Sequence, residues 1–266
     1  MRGWRSYDDI AERYDAVWSA RFEAVARQIW VLVPPDAGDK VLDIGTGTGI
    51  VPRTLAEVAP VAGLTVGCDR SVGMLRRARE RVAGMRVLVA DATTLPFRDE
   101  SFHLATASFV LSHIRDYPRA LRETLRVLKP SGRVAVSSWA VPTDPYSAAW
   151  GEWLAETVTK REAERAMAEV GPWEDHFSQE GALEAALTRA GFSPVRSATI
   201  DVESGFTVDQ FVEDRELSPG GRLARHLLGA KGWAHARAAV RDRFHTRFGS
   251  SFRYRRRAFI TVARKP

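Results

Sequence analysis

The stretch Val41-Leu42-Asp43-Ile44-Gly45-Thr46-Gly47-Thr48-Gly49 does most to limit what this chain can become, because an apolar run fit for a buried strand enters three alternating glycines and then a helical pattern. Glycine has no Cβ, so such a loop turns tightly and lets a ligand approach the backbone. Free amides at the start of the following helix also favour an anionic group such as a carboxylate. Spacing narrows the choice further: a dinucleotide fingerprint places its third glycine at position 50, where this chain has Ile50. Asp43 adds a carboxylate at the strand end, which would repel a pyrophosphate and attract an ammonium group. The loop therefore favours a ligand that bears an amino acid.

From residue 40 to residue 139, short β-branched runs alternate with helical stretches, the pattern of βαβ units and a parallel sheet. Strands are predicted at 40–44, 64–69, 85–90, 102–108 and 132–139. Helices are predicted at 50–59, 71–82 and 118–128, with Ser71 as an N-cap and Lys129-Pro130-Ser131-Gly132 as the turn that stops the last one. After Trp139 the period lengthens: 146–170 and 180–190 read as helices, the second capped at Gly191. A sixth strand at 194–202, a mostly helical 206–248 and a final strand at 251–263 follow. Residues 6–32 read as two helices leading in. The expected organisation is an N-terminal helical lid at 1–39, a doubly wound α/β cofactor-binding core at 40–140, and the remainder of the sheet at 141–266. Helical caps at about 141–178 and 205–250 would stand over the carboxyl ends of the strands, where open α/β sheets bind ligands.

Two more acids complete the constellation. Asp69 ends Val66-Gly67-Cys68-Asp69, where it can accept hydrogen bonds from both hydroxyls of a ribose; capping of the next helix is the plainer use of such a residue. Asp91 ends Leu88-Val89-Ala90-Asp91-Ala92, where it can accept from the exocyclic amine of adenine. With Asp43, these acids bracket a nucleoside.

The ordered set resembles the class I methyltransferase family, most closely the small-molecule branch that includes the ubiquinone and menaquinone C-methyltransferases. Phe102-His103-Leu104-Ala105-Thr106-Ala107-Ser108 and Val127-Leu128-Lys129-Pro130-Ser131-Gly132 continue it in family order, and the likeness covers about residues 5–140. The resemblance implies a seven-stranded Rossmann-like sheet in the order 3-2-1-4-5-7-6 with strand seven antiparallel, and S-adenosyl-L-methionine as cofactor. By position, Gly45, Thr46 and Gly47 would line its methionine part, Asp69 the ribose with Arg70 beside it, Met74 one adenine face, Asp91 and Ala92 the adenine edge, and Ser108 the sulfonium. Tyr7 and Tyr14 fall in a segment similar to the family's N-terminal helix; seven residues apart, they would share one helical face and reach the methionine carboxylate, or simply pack. His113, just after strand four, is the best single candidate for a general base, although a packing or loop-anchoring role is the plainer reading of such a histidine.

The acceptor is expected in the caps. Trp139, Trp150, Trp153, Trp173 and Trp233, with Phe177, Phe206 and Phe211, supply aromatic area for a closed pocket around an apolar or aromatic metabolite, possible in specialised-metabolite synthesis, and Arg222, Arg225 and Arg237 could meet an anionic group on it. Residues 215–266 hold 14 Lys/Arg against 2 Asp/Glu, so the net +6 of the whole chain belongs to this segment. Such a run reads first as solvated helix faces and second as a nucleic-acid surface. Arg253, Arg255, Arg256 and Arg257 would serve an RNA methyltransferase. Against that, Ser108-Phe109-Val110-Leu111 stands where a nucleic-acid enzyme would carry its Asn/Asp-Pro-Pro-aromatic motif. A cofactor-binding cyclase or scaffold that transfers no methyl is a third reading. Cys68, the single cysteine, can form no internal disulfide, and no thiolate cluster exists to hold a metal. No leader or membrane-spanning run is apparent, which leads to the expectation of a cytoplasmic protein.

Overall fold

The computed structural model describes residues 4, 6–59 and 63–266; positions 1–3 and 5 of the expected lid lie outside them. A 3-10 turn at Asp8–Ile10 runs into α1 (Ala11–Leu32), one helix where two were predicted. Its buried residues Ala11, Asp15, Val25, Ala26, Ile29 and Trp30 recur at helical spacing, so one stripe faces the sheet. The strand ahead of the glycines is β1 (Val41–Ile44), all four residues of it buried, as a parallel strand covered on both faces must be. Around it follow α2 (Ile50–Val58), β2 (Thr65–Asp69), α3 (Val72–Arg81), β3 (Arg86–Val89), β4 (Phe102–Ser108), α4 (Tyr117–Val127) and β5 (Leu128–Trp139). The C-terminal half adds α5 (Pro145–Thr157), α6 (Lys160–Val170), α7 (Glu174–Phe177), α8 (Ala182–Arg189), β6 (Val195–Thr207), α9 (Val208–Leu217), α10 (Pro219–Phe248) and β7 (Ser251–Arg264). The seven strands lie in the expected order β3-β2-β1-β4-β5-β7-β6, and β7 is antiparallel to both its neighbours.

The departures from the predicted elements share a cause. The helix expected over 146–170 breaks at Val158, and Thr159 restarts it with a capping box to Glu162. The helical stretch expected from 206 begins as strand, because β6 runs on to Thr207 against β7, from Val195↔Ala263 to Thr207↔Ser251. Thr207 then caps α9 in a box with Gln210, and Pro219 starts α10, which is kinked at Gly229 with φ 65°. The turn at Lys129–Gly132 is absorbed into β5, whose register against β4 shifts between Phe102 and Leu104. Each of these outcomes depends on a partner strand or a cap that the local period does not contain.

Only Arg133–Trp139 of β5 pair with β7, so the β6–β7 ribbon projects past the sheet. The cap helices fold over that projection and bury Trp150, Trp153, Phe206, Phe211, Trp233, Phe244 and Tyr254 in a core of their own. At the opposite end of the chain order, α1 is tied to the cofactor loop by Asp15. Its buried carboxylate accepts from Ser19 Oγ at 2.6 Å, from Thr48 Oγ1 at 3.0 Å and from Arg77 Nε at 3.3 Å, and it pairs with Arg81. No helix among the described residues is long and apolar enough to cross a membrane.

Candidate active site

The carboxyl ends of β1, β2 and β4 open into a cavity of about 720 Å³ roofed by the N-terminal segment and the cap helices. On one side stands the glycine loop. Gly45, Gly47 and Gly49 have φ of 68°, 53° and 81°, a region where a side chain is strained. A Cβ on Gly45 would come within 2.3 Å of Val110 Cγ2, whereas one on Gly47 would meet nothing within 4 Å and would project into the opening that a ligand needs. Asp69 pins this loop to the next: Gly47 N–H donates to Oδ2 and Ser71 N–H to Oδ1, both at 2.9 Å. Burial nonetheless outweighs these amides and raises its carboxyl above the ordinary value. Thr93 donates from both N–H and Oγ1 to Asp91 Oδ1, and Arg70 Nε stands 3.7 Å from Asp91 Oδ2.

The lid meets the core at Asp8. Gly73 N–H donates to its Oδ1 at 2.9 Å, as does Ser71 Oγ at 2.7 Å. Gly73 is required there, since a Cβ would fall 2.3 Å from the Asp8 carbonyl oxygen. Tyr7 precedes the 3-10 turn, so it does not share a helical face with Tyr14 as the seven-residue spacing implied. The two rings still meet edge to face at 6.0 Å, and Tyr7 also approaches His113 at 6.2 Å. Burial raises both phenols first and foremost, so each stays protonated and is available as a donor.

The structure brings together Tyr7, Tyr14, Gly45, Gly47, Asp69, Arg70, Met74, Asp91, Ala92, Ser108 and His113 on the cavity wall. Two of the predicted residues stand behind it. Thr46 packs over Gly67, whose missing Cβ would lie 2.8 Å from Thr46 Oγ1. Asp43 is 2% exposed; Thr106 Oγ1 donates to its Oδ1 at 2.6 Å, and Oδ2 is buried without a partner. An orphaned carboxylate oxygen beneath a loop with room for a ligand suits an amino-acid ammonium near it, and the glycine cradle and the acids suit an adenosyl group.

Burial lifts the Asp43 carboxyl to about 7 against the opposing pull of the Thr106 and Thr46 hydroxyls. With the folded value above the unfolded one, this stabilisation is complete below the unfolded value and fades as pH rises through about 7. Asp43→Asn stays neutral throughout. Its unfolding free energy should therefore gain on that of the parent by about 2 kcal/mol between about pH 5 and about pH 6.5, then level off. Urea titrations at several pH values check this, and a difference flat across that range would mean that Asp43 is already ionised at the lower end.

The far side of the cavity is aromatic, and here the structure corrects the expected acceptor residues. Trp139 and Phe177 line it, but Trp150, Trp153, Trp233, Phe206 and Phe211 fill the cap's own core. Trp173 packs on Tyr117, its Nε1 donating to the Arg115 carbonyl at 2.9 Å. In their place α1 presents Tyr14, Trp18 and Phe22, with Tyr14 4.7 Å from Trp18; Phe22 meets Phe109 at 5.0 Å, and Phe109 stacks on Trp139 at 4.4 Å. The i, i+4, i+8 spacing of the first three was legible as an aromatic stripe. Phe109 holds φ at 55°, an unusual conformation for an aromatic residue and one that aims it at this wall.

Arg222, Arg225 and Arg237 do not line the cavity. Arg225 and Arg237 are engaged by Glu216 at 2.8 and 3.7 Å, while Arg222 donates to the Ser6 carbonyl at 3.0 Å and lies 4.4 Å over the Tyr7 ring. His113 Nδ1 is 2.6 Å from the Val170 carbonyl, a bond that ties the end of α6 to the loop after β4. Ser108 Oγ bonds Ser137 Oγ at 2.8 Å.

Residues 42–136 match a family model described as a methyltransferase domain. The chain is similar to a demethylmenaquinone methyltransferase of Corynebacterium kroppenstedtii, 35% identical over 159 residues that cover 58% of this chain and 67% of that protein. A demethylmenaquinone methyltransferase of Mycobacterium marinum is 33% identical over 210 residues, covering 71% of this chain and 84% of that protein. Among solved structures, a phosphoethanolamine N-methyltransferase of Haemonchus contortus superposes with a TM-score of 0.60 at 18% identity, covering 98% of this chain and 58% of that one, a likeness of fold.

Proposed function

The chain belongs to the class I S-adenosylmethionine-dependent methyltransferase family, and from that premise we propose that it methylates a mid-sized, apolar or aromatic metabolite, such as one of specialised metabolism. The observation that supports this reading is the continuity of one cavity, in which the glycine loop and its acids face an aromatic wall of Trp18, Phe22, Phe109 and Trp139. The cofactor supplies an electrophilic methyl group on a sulfonium.

The chain's residues bind and orient. In this reading Gly45 and Gly47 lie along the methionine part, Asp43 balances its ammonium from below, Asp69 takes the ribose, Met74 packs on the adenine, and Asp91 and Ala92 hold its edge. Protonated Tyr7 and Tyr14 donate toward the carboxylate from the lid. His113 anchors the wall through its Nδ1; when that nitrogen donates to Val170, Nε2 is the basic nitrogen of the neutral ring and can take a proton from an acceptor that must lose one. Holding an acceptor in line within a water-poor pocket supplies much of the rate by positioning alone.

Incubation with methyl-labelled cofactor and a pool of small metabolites should place the label in an organic-soluble aromatic product. Label found only in added RNA, or tight cofactor binding with no labelled product from any metabolite, would end this reading.

A further inference from the structure

The arginines on the far wall are unevenly paired, although Glu169 and Glu174 also line the cavity. Arg21 from α1, Arg215 from α9 and Arg256 from β7 all line the cavity. Asp214, fully buried, is the one carboxylate among the described residues in ion-pair contact with any of them: it pairs with Arg21, and Arg215 reaches it at 2.6 Å. Arg256 has no ion pair among the described residues; its Nε is buried without a hydrogen-bond partner there, and its guanidinium lies 4.7 Å over the Trp139 ring. Its strand neighbours show that acids were available, since Arg255 and Arg257 pair with Asp201 at 3.6 and 2.8 Å. Strand alternation turns Arg256 the other way, into the cavity.

Arg21 and Arg215 thus share one carboxylate, and Arg256 stands beside them without one, in a poorly solvated place. Burial pushes Arg21 down to about 9, with the Arg215 charge next in weight. Arg256 is likewise pushed down, by burial first; Tyr254 counters this, Arg215 adds to it, and Glu174 and Asp144 ease it without pairing. Unpaired buried cations are costly, and an incoming anion removes that cost. A planar guanidinium stacked on an indole presents a fork suited to a carboxylate.

We propose that the acceptor of this site is an aromatic carboxylic acid whose carboxylate is held by Arg256, with Arg215 and Arg21 behind it, and whose ring system lies against Trp139 and Phe109. This rests on the methyl-transfer reading of the same cavity. The arginines that carry it come from three elements far apart in sequence; Arg21 and Arg215 were not nominated by the sequence, and Arg256 was nominated only as part of a nucleic-acid surface.

Trp18 and Trp139 report on the wall, so quenching of tryptophan fluorescence in protein saturated with S-adenosylhomocysteine can be titrated with 1-naphthoate and with uncharged 1-naphthamide. The acid should bind about 10-fold tighter than the amide. Arg256→Gln should bring the two within about 2-fold while leaving amide affinity and the S-adenosylhomocysteine melting shift unchanged, and Arg256→Lys should retain part of the preference. Acid and amide of equal affinity in the parent, binding of neither, or a preference that survives Arg256→Gln would overturn the proposal. A missing S-adenosylhomocysteine shift with the acid preference intact would overturn the methyl-transfer reading instead and leave the anion site standing.

Discussion

Asp69→Ala is expected to abolish the rise in melting temperature that S-adenosylhomocysteine gives the parent protein. A ligand present at about 100 times its Kd stabilises the folded state by about 2.7 kcal/mol, which for a chain of this size is a shift of about 5–10 °C. Asp69 has two duties, and alanine ends both. Its oxygens receive the Gly47 and Ser71 amides, so the glycine loop and the start of α3 lose their common anchor. In the proposed reading, the acceptor for the ribose hydroxyls goes with them. Asp69→Asn separates the duties, because one oxygen remains while the amide nitrogen faces a backbone donor; an intermediate shift is expected. A shift of full size in Asp69→Ala would show that the cofactor does not sit on this residue.

Asp15→Ala should cost about 3–5 kcal/mol of unfolding free energy, the usual toll when one partner of a buried charge network is removed. The carboxylate is 3% exposed and gathers Arg77, Arg81, Ser19 and Thr48. Removing it leaves Arg81 without its carboxylate and releases Thr48, which sits in the glycine loop. Urea unfolding measures the loss, and a change below about 1 kcal/mol would mean that water replaces the network without penalty. The same variant should loosen the lid, because Asp15 links α1 to α3 independently of the contact between Asp8 and Gly73.

The site was legible where its chemistry is written in consecutive residues. The glycine loop needs positive φ at Gly45 and Gly47, Asp69 ends β2, and Asp91 stands two residues past the end of β3, close to where the sequence put it. The direction of the Thr46 side chain was not legible, because loop membership does not tell which way a side chain turns, and Gly67 on the adjoining strand leaves the space it fills. The aromatic wall was misassigned for a related reason. Trp150, Trp153 and Trp233 have the composition of a pocket, but the projecting β6–β7 ribbon gives them a surface to bury against.

Local sequence determined the core: an apolar run without alternation suits a parallel strand covered on both faces, and three alternating glycines after it give a tight turn whose backbone a ligand can approach. Tertiary structure alone decided the acceptor side. Long β6 pairs with β7 over residues more than forty positions apart, and that pairing sets where α9 and α10 lie and which arginine of Arg255-Arg256-Arg257 faces inward. Strand period says that alternate residues share a face, but only the neighbouring element says which face is buried. For that reason the glycine loop and the acids that follow it could be read in order along the chain, whereas Arg21, Arg215 and Arg256 come together only in the fold.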